Sequence, residues 1–257
     1  MNKSVSYDFN GKVVTITGGS RGLGHAMALG FAAAGARVAV ASRKLDACEA
    51  TVKEIRALGS DGSAHAVHVG KWADCNRLAE EVYSRWGRCD VLINNAGMSP
   101  LYPSLAEHTE ELFDKVLNVN LKGPFRLSAL FGSQMAAADG GAIINISSIG
   151  AIRPSATTAP YSAAKAGLNA LTVAFANEYG PKVRVNCIMA GPFRTDVSKA
   201  WFNDDFIRRA RAQYAMGRGG EPEEIVGAAL YLASPAASFT TGAVLTVDGG
   251  QSNPKGA

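Results

Sequence analysis

Tyr161 and Lys165 stand four residues apart in Tyr161-Ser162-Ala163-Ala164-Lys165. On a helix, positions i and i+4 share one face, so both side chains can address one site. A free phenol has a pKa of about 10, too high for efficient proton exchange near neutrality. A neighbouring ammonium favours the phenolate and lowers that value. The pair reads as an acid/base tyrosine tuned by a lysine. The spacing alone is common on wet helix surfaces, so its place in the chain matters. Ser148 lies 13 residues before Tyr161, just after the apolar run Ala142–Ile146. Its hydroxyl could bond a carbonyl oxygen as charge develops there; Ser147 is the runner-up.

A second constellation follows the first apolar run. Val13–Thr17 leads directly into Gly18-Gly19-Ser20-Arg21-Gly22-Leu23-Gly24, and a helical pattern follows. Glycines let the backbone turn tightly and approach a ligand, while a helix N-terminus favours negative charge. Strand, glycine turn and helix together suit a pyrophosphate. About 20 residues past such glycines an NAD-selective site places an acid for the ribose 2′-hydroxyl. Here Ser42 stands at that point, followed by Arg43 and Lys44. A carboxylate would repel a 2′-phosphate, whereas Arg43 can hold one through a charge-assisted fork, with Arg21 approaching from the other side. Asp46, the nearest acid, falls in the first turn of the next helix, where acids are favoured anyway.

Seven short, β-branched-rich runs could be the strands that position these residues: Val13–Thr17, Arg37–Ala41, Ala64–Val69, Val91–Asn94, Ala142–Ile146, Val183–Ile188 and Ala243–Val247. Near-continuous apolar character is how a strand buried on both faces reads. Helical patterns alternate with them over Leu45–Leu58, Arg77–Trp86, Glu110–Ala137, Ser162–Tyr179 and Glu221–Ala233. Alternation without a composition break predicts one α/β domain, a parallel sheet covered by helices on both faces.

Several motifs resemble those of the classical short-chain dehydrogenases/reductases (SDR family). Thr17-Gly18-x-x-x-Gly22-x-Gly24 is similar to their T-G-x-x-x-G-x-G fingerprint, and Asn94-Asn95-Ala96-Gly97 to their N-N-A-G motif. Asn120, Ser148, Tyr161 and Lys165 resemble the complete catalytic tetrad in the family's chain order, and the motifs run from Thr17 to Gly250. The resemblance implies a single Rossmann-type domain over residues 1–257 with a seven-stranded parallel sheet. It implies hydride transfer between NADP(H), with NAD(H) less favoured, and a small-molecule carbonyl or alcohol. Tyr161 would give or take the proton and Ser148 would hold the oxygen. Lys165 would bind the nicotinamide ribose and, with the oxidised ring's charge, lower the phenol pKa. Asn120 would hold a water linking the lysine to solvent.

Cofactor contacts are implied at Gly18, Ser20, Arg21, Gly22, Leu23 and Gly24, and at Ser42 and Arg43. They are implied also at His68, Val69, Asn95, Ala96, Gly97, Tyr161 and Lys165, and, for the carboxamide, at Gly191, Phe193 and Thr195. Thr195 could instead cap a helix over Asp196–Lys199. The chain departs from the family at His68-Val69, where many members carry Asp-Val, and at Ala190-Gly191, where Pro-Gly is usual. His68 could face the adenine or cap its strand.

The formal charge of +4 is scattered without a basic run, so no nucleic-acid partner is signalled. Cys48, Cys75, Cys89 and Cys187 form no C-x-x-C pair and have no adjoining His cluster, so neither a metal site nor a disulfide framework is expected. The start is polar and no apolar stretch is long enough to span a bilayer. A cytoplasmic protein without a membrane partner is the expectation, with free thiols in a reducing compartment. Similar proteins are commonly homotetramers, paired through the two long helical stretches and the last strand. Substrate-pocket candidates are Ser99, Pro100, Leu101, Ile149, Arg153, Pro154, Ala190 and Val197–Tyr214. In the last segment Trp201, Phe202 and Phe206 suggest an apolar lid, and Arg208, Arg209 and Arg211 an anionic substrate or one wet helix face. A 3-oxoacyl thioester reductase and a reductase of free ketones, sugars or alcohols both remain open, as does an NADPH-binding regulatory protein without turnover.

Overall fold

The computed structural model describes residues 7–196, 198 and 202–253. Seven parallel strands form one sheet in the order β3-β2-β1-β4-β5-β6-β7. They are β1 (Val13–Thr17), β2 (Arg37–Ser42), β3 (Gly62–Ala66), β4 (Val91–Asn94), β5 (Gly141–Ser148), β6 (Val183–Ala190) and β7 (Val244–Val247). The helices between them are α1 (Gly22–Ala33), α2 (Leu45–Ala57), α3 (Trp72–Trp86), α4 (Glu110–Leu117), α5 (Gly123–Ala137), α6 (Ala159–Tyr179), α7 (Asp204–Gln213) and α8 (Val226–Ala233). Strand order runs outward in both directions from the β1–β4 pair. The loops leaving these two neighbours diverge, and a crevice opens at their carboxyl ends.

Both sheet faces are covered, which explains the runs of apolar residues. One face packs Met27 and Phe31 of α1, Ile55 of α2 and Leu232 of α8 on Ile16, Val40 and Ile144. The other packs Leu78 of α3, Leu127, Phe131 and Met135 of α5 and Phe175 of α6 on Leu92, Ile143 and Val185. A buried polar chain crosses this second core. Asn94 donates to Ser128 Oγ and to Asn145 Oδ1, each at 2.9 Å. Asn145 donates to Thr172 Oγ1 (2.9 Å), which donates to Leu168 O (2.9 Å). Breaking any link strands a buried polar group, at roughly 1–3 kcal/mol. The chain sets the height of α6 against β4 and β5.

Several boundaries differ from the sequence expectation. The single helix expected over Glu110–Ala137 is interrupted by a π-helical turn, Asn118–Lys122, between α4 and α5. The third strand lies at Gly62–Ala66, so His68 and Val69 fall beyond it, and α3 starts five residues early, at Trp72. Small residues (Gly62, Ser63, Ala64) hide the strand, whereas Val67 and Val69 give an apolar signal from the loop. β5 and β6 extend two residues further than expected, making Ser148 and Ala190 terminal strand residues.

Gly123 opens α5 directly behind the π turn. A Cβ there would lie 2.4 Å from Val69 O and 2.9 Å from its carbonyl carbon. Both are backbone atoms, so neither yields cheaply. Gly123→Ala should lower stability by about 1–3 kcal/mol, read as a lower urea midpoint. An unchanged midpoint would mean that α5 can move away from Val69.

Candidate active site

The glycine turn after β1 is close-packed. Gly18 (φ 66°) and Gly22 (φ 54°) occupy the left-handed region, which side chains resist. A Cβ on Gly24 would sit 2.2 Å from Gly18 O and 2.5 Å from Asn95 Nδ2. Asn95 Nδ2 donates to Thr17 O (2.9 Å) and Gly18 O (3.2 Å), and Thr17 Oγ1 accepts from the Asn95 and Ala96 N–H groups. The N-N-A-G segment thus locks the glycine turn to β4. α1 begins after Arg21 with no side-chain cap and no acid in its first turn. Its first N–H groups and positive dipole end are left for an outside anion, and these residues fit a dinucleotide pyrophosphate. Leu23 packs back on the core. Across the crevice, Gly22 faces Thr195, whose Cγ2 would lie 3.2 Å from an added Cβ.

At the far end of the turn, Ser20 Oγ donates to Ser42 Oγ at 2.9 Å. This bond places Arg21 and Arg43 as neighbours of a joined pair. Both are exposed, and neither guanidinium has a hydrogen bond or ion pair among the described residues. His68 sits in the loop after β3. Its N–H is held by Asp74 Oδ2 (2.9 Å), and its Nδ1 accepts from Gly70 N (3.2 Å). With Gly70, Glu111, Asp114, Lys115 and Asn118 it lines a cavity. Val69 is buried against α5.

Lys165 is 3% exposed, and its Nζ donates to Ile146 O at 2.8 Å. Burial lowers its pKa to about 8. Nζ lies 5.7 Å from the centroid of the Tyr161 ring. A Cβ added at Gly97 would lie 2.9 Å from Asn120 Oδ1 and 3.6 Å from Lys165 Nζ, so the three residues meet. One built at Gly150 would lie 3.5 Å from Ser148 Oγ and 3.7 Å from Tyr161 Cε1. The four tetrad positions therefore converge beside the glycine turn. Ser147 and Ser148 are separated by geometry. Buried Ser147 donates to Lys165 O (3.2 Å), whereas Ser148, at the strand's end, accepts from Gly150 N (3.1 Å) and neighbours Tyr161.

Two expectations change. Burial pushes the Tyr161 phenol up, and Ser148 beside it pulls the other way; Lys165 is not among the groups that move it. Removal from water outweighs an ammonium that is several ångströms off and bonded to a carbonyl. Asn120, in the π turn, spends its side chain on backbone. Nδ2 donates to Met98 O (2.8 Å) and Val116 O (2.9 Å), and Oδ1 accepts from Met98 N (3.2 Å). Both amide hydrogens are taken, so the side chain has only acceptor capacity left on Oδ1 for a water.

After β6, Gly191 is pressed on Asp248, with only 2.5 Å between an added Cβ and Asp248 Cα. Phe193 is buried. Ser198, which falls in the pocket segment expected over Val197–Tyr214, organises this turn. Its Oγ accepts from Thr195 N (2.7 Å) and donates to Phe193 O (2.8 Å). The expected helix over Asp196–Lys199 falls partly outside the described residues, as does Trp201. Phe202 and Phe206 pack with Ala210 and Tyr214 in a small core of their own, so buried Phe206 is not an open lid face.

A family model described as enoyl-(acyl carrier protein) reductase matches residues 18–252. The human protein named dehydrogenase/reductase SDR family member 4 is 34% identical over 241 residues, 93% of this chain and 87% of that protein. A 7α-hydroxysteroid dehydrogenase solved with NADH and 7-oxo glycochenodeoxycholic acid superposes with a TM-score of 0.91 at 33% identity, covering 97% of this chain and 98% of that one. A protein from Beutenbergia cavernae, assigned as an NAD(P)-dependent gluconate 5-dehydrogenase and solved with NADP at low occupancy, gives 0.89 at 35%, over 96% and 99%. The chain belongs to the short-chain dehydrogenases/reductases. As a member of the SDR family it is an oxidoreductase acting on CH–OH or C=O groups, in a family that binds nicotinamide cofactors. Among the described residues of this SDR chain no helix is long and apolar enough to cross a membrane, and no His/Cys/Asp/Glu group could hold a metal.

The buried Lys165 has a thermodynamic signature. Its ordinary pKa of 10.5 falls to about 8 in the fold. Below pH 8 the amine is charged in both folded and unfolded chains, and the fold carries the whole burial penalty. As pH rises from 8 to 10.5, the folded chain sheds the proton first and stability rises. Relative to Lys165→Met, the wild type should gain roughly 3 kcal/mol between pH 7 and 10.5, at about 1.4 kcal/mol per unit. Denaturant titrations of both proteins across this range measure it; a constant difference would contradict the buried charge.

Proposed function

We propose that this chain transfers hydride between NADP(H) and a carbonyl or alcohol substrate, with Tyr161 as acid/base. The observation that carries the reading is the convergence of Tyr161, Ser148 and buried Lys165 at the carboxyl ends of the strands, beside a glycine turn built for an anion. A bound nicotinamide supplies the hydride for the carbonyl carbon, or accepts it in reverse. Tyr161 holds its proton firmly in the free protein, because burial disfavours the phenolate. That state suits reduction, in which the hydroxyl gives its proton to the carbonyl oxygen. Ser148 Oγ donates a hydrogen bond to the same oxygen as charge gathers on it. Lys165, with a pKa of about 8, is mostly ammonium at neutral pH and lies behind the phenolate that forms. Asn120 fixes Met98 and, through it, the segment next to Gly97.

A regulatory protein without turnover gives no physical reason for burying an ammonium here, since that burial costs stability. The matching family's description names an acyl carrier protein, so 3-oxoacyl thioesters belong in a substrate panel with free ketones, sugars and alcohols. The NADP preference rests on the uncommitted guanidinium groups of Arg21 and Arg43, flanking a Ser20–Ser42 contact that contains no carboxylate. We place the protein in the cytoplasm as a homotetramer. Four free, buried cysteines suit a reducing compartment. Exposed Phe113, Phe125 and Val173, with Val244 and Leu245 on the edge strand β7, offer apolar surface that a second copy would cover.

Tyr161→Phe keeps the ring and removes the proton. Its catalytic rate should fall by about 10²–10⁴-fold, with NADPH affinity by fluorescence titration preserved. Full turnover would reject the assignment. Arg43→Asp should lower the NADPH-to-NADH preference in kcat/KM by about tenfold or more. An unchanged ratio would remove Arg43 from the phosphate.

A further inference from the structure

The segment between Ser148 and Tyr161 ends in one 3-10 turn, Ala156–Thr158, and runs straight into α6. Within that turn Thr158 N donates to Ser155 O at 3.1 Å. The next bond of the series would join Ala159 N to Ala156 O. A side chain from elsewhere stands there instead. The Tyr102 hydroxyl accepts from Ala159 N (2.9 Å) and donates to Ala156 O. α6 has no side-chain cap and no acid in its first turn, so this distant phenol serves its leading N–H. Pro160 follows, and Tyr161 comes next.

We propose that Tyr102 is a positioning residue for Tyr161, its hydroxyl wedged into the turn that starts α6 and holding that turn open. The proposal rests on the reading of Tyr161 as proton donor. Tyr102 rides on the loop that leaves Gly97, and its ring is itself held. His108 meets it edge-on at 4.5 Å, and Phe113 of α4 meets His108 edge-on at 6.2 Å. The wedge thus ties the loop over the crevice, and the start of α4, to the first turn of α6. The rest of the intervening segment is held by its own hydroxyls. Ser155 Oγ contacts Thr157 Oγ1 (2.9 Å) and Thr158 Oγ1 (3.1 Å), and Thr158 Oγ1 contacts Ser162 Oγ (3.2 Å). These contacts are local and move with the segment. Without the wedge, Ala159 N is free to close on Ala156 O, and the phenol two residues on is displaced. Misplacing a reacting group by about 1 Å can cost about 10²-fold in rate.

The test is Tyr102→Phe, which keeps the ring on His108 and loses both hydrogen bonds. We expect kcat to fall about tenfold or more, while KM and NADPH affinity stay within about twofold. A second readout needs no turnover: the 13Cζ resonance of Tyr161 in 13C-tyrosine-labelled protein, assigned by its loss in Tyr161→Phe. It should shift in Tyr102→Phe and stay in place in the control Tyr231→Phe. Unchanged kcat with an unmoved resonance overturns the proposal. So does a fall in kcat with the resonance unmoved, because Tyr102 would then act on substrate directly. If the wild type turns over no carbonyl, the shift still decides the positioning claim, and the loss falls on the reading of Tyr161 as proton donor.

Discussion

Taking the Lys165 ammonium out of water is the constraint that the rest of the site answers. Only the Ile146 carbonyl receives a hydrogen bond from its amine, and no carboxylate partners it among the described residues. Such a charge survives only on rigid surroundings that cannot relax to let water in. Those surroundings are the strand ends and the polar chain through the core. Ser147 holds the Lys165 carbonyl. Two turns further along α6, Thr172 is bonded to Asn145, which is bonded to Asn94 of β4. The helix is therefore fixed in rotation and height at the lysine and two turns beyond it. A slip of one residue would strand a buried amide as well as a buried amine.

The anion side of the crevice is rigid for a different reason. Its glycines are not there for flexibility. Gly24 lets α1 approach the carbonyl of Gly18, and the Asn95 amide fills the space beside both. The result is a fixed row of N–H groups at the switch point of the sheet, with little reorganisation left to occur on binding. Both halves hang from the same two strands, because β1 carries the glycine turn and β4 carries Asn94 and Asn95. Geometry between the glycine turn and Tyr161 is thus set by the β1–β4 and β4–β5 pairings and the core behind them.

Much of this was legible in residue types. Strands β1 and β4 end where the apolar runs end, and Asn120, Ser148, Tyr161 and Lys165 lie close together. What failed to show had physical causes. The break in Glu110–Ala137 has one mark in the sequence, Gly123-Pro124, with Pro124 in the first turn of α5 directly behind the π turn; the π turn itself carries neither residue type. β3 is built from small residues and was read too late along the chain. The direction of the Tyr161 shift could not be read from an i, i+4 spacing. Spacing gives a shared face, whereas the shift depends on burial and on where the ammonium points. The contacts of Ser198 and Tyr102 do not show in the sequence, because each side chain bonds backbone atoms and no periodicity marks such a residue.

The opposite shifts of phenol and amine share one cause, loss of water around a half-buried Tyr161 and a buried Lys165. Desolvation favours the neutral form of each group, so it raises the tyrosine and lowers the lysine. The pair in the free protein is accordingly a protonated phenol beside an ammonium that sits less than two units above neutral pH. Such a phenol is a reliable donor but a weak acid. It becomes an effective one only when negative charge gathers on an oxygen within its reach, and Ser148 Oγ stands beside the phenol. Proton transfer is then coupled to charge development on the substrate instead of preceding it. A site that had already ionised its tyrosine would be better placed to take a proton from an alcohol. If Tyr161 is the acid/base, shifts in these two directions favour giving a proton to a carbonyl over taking one from an alcohol.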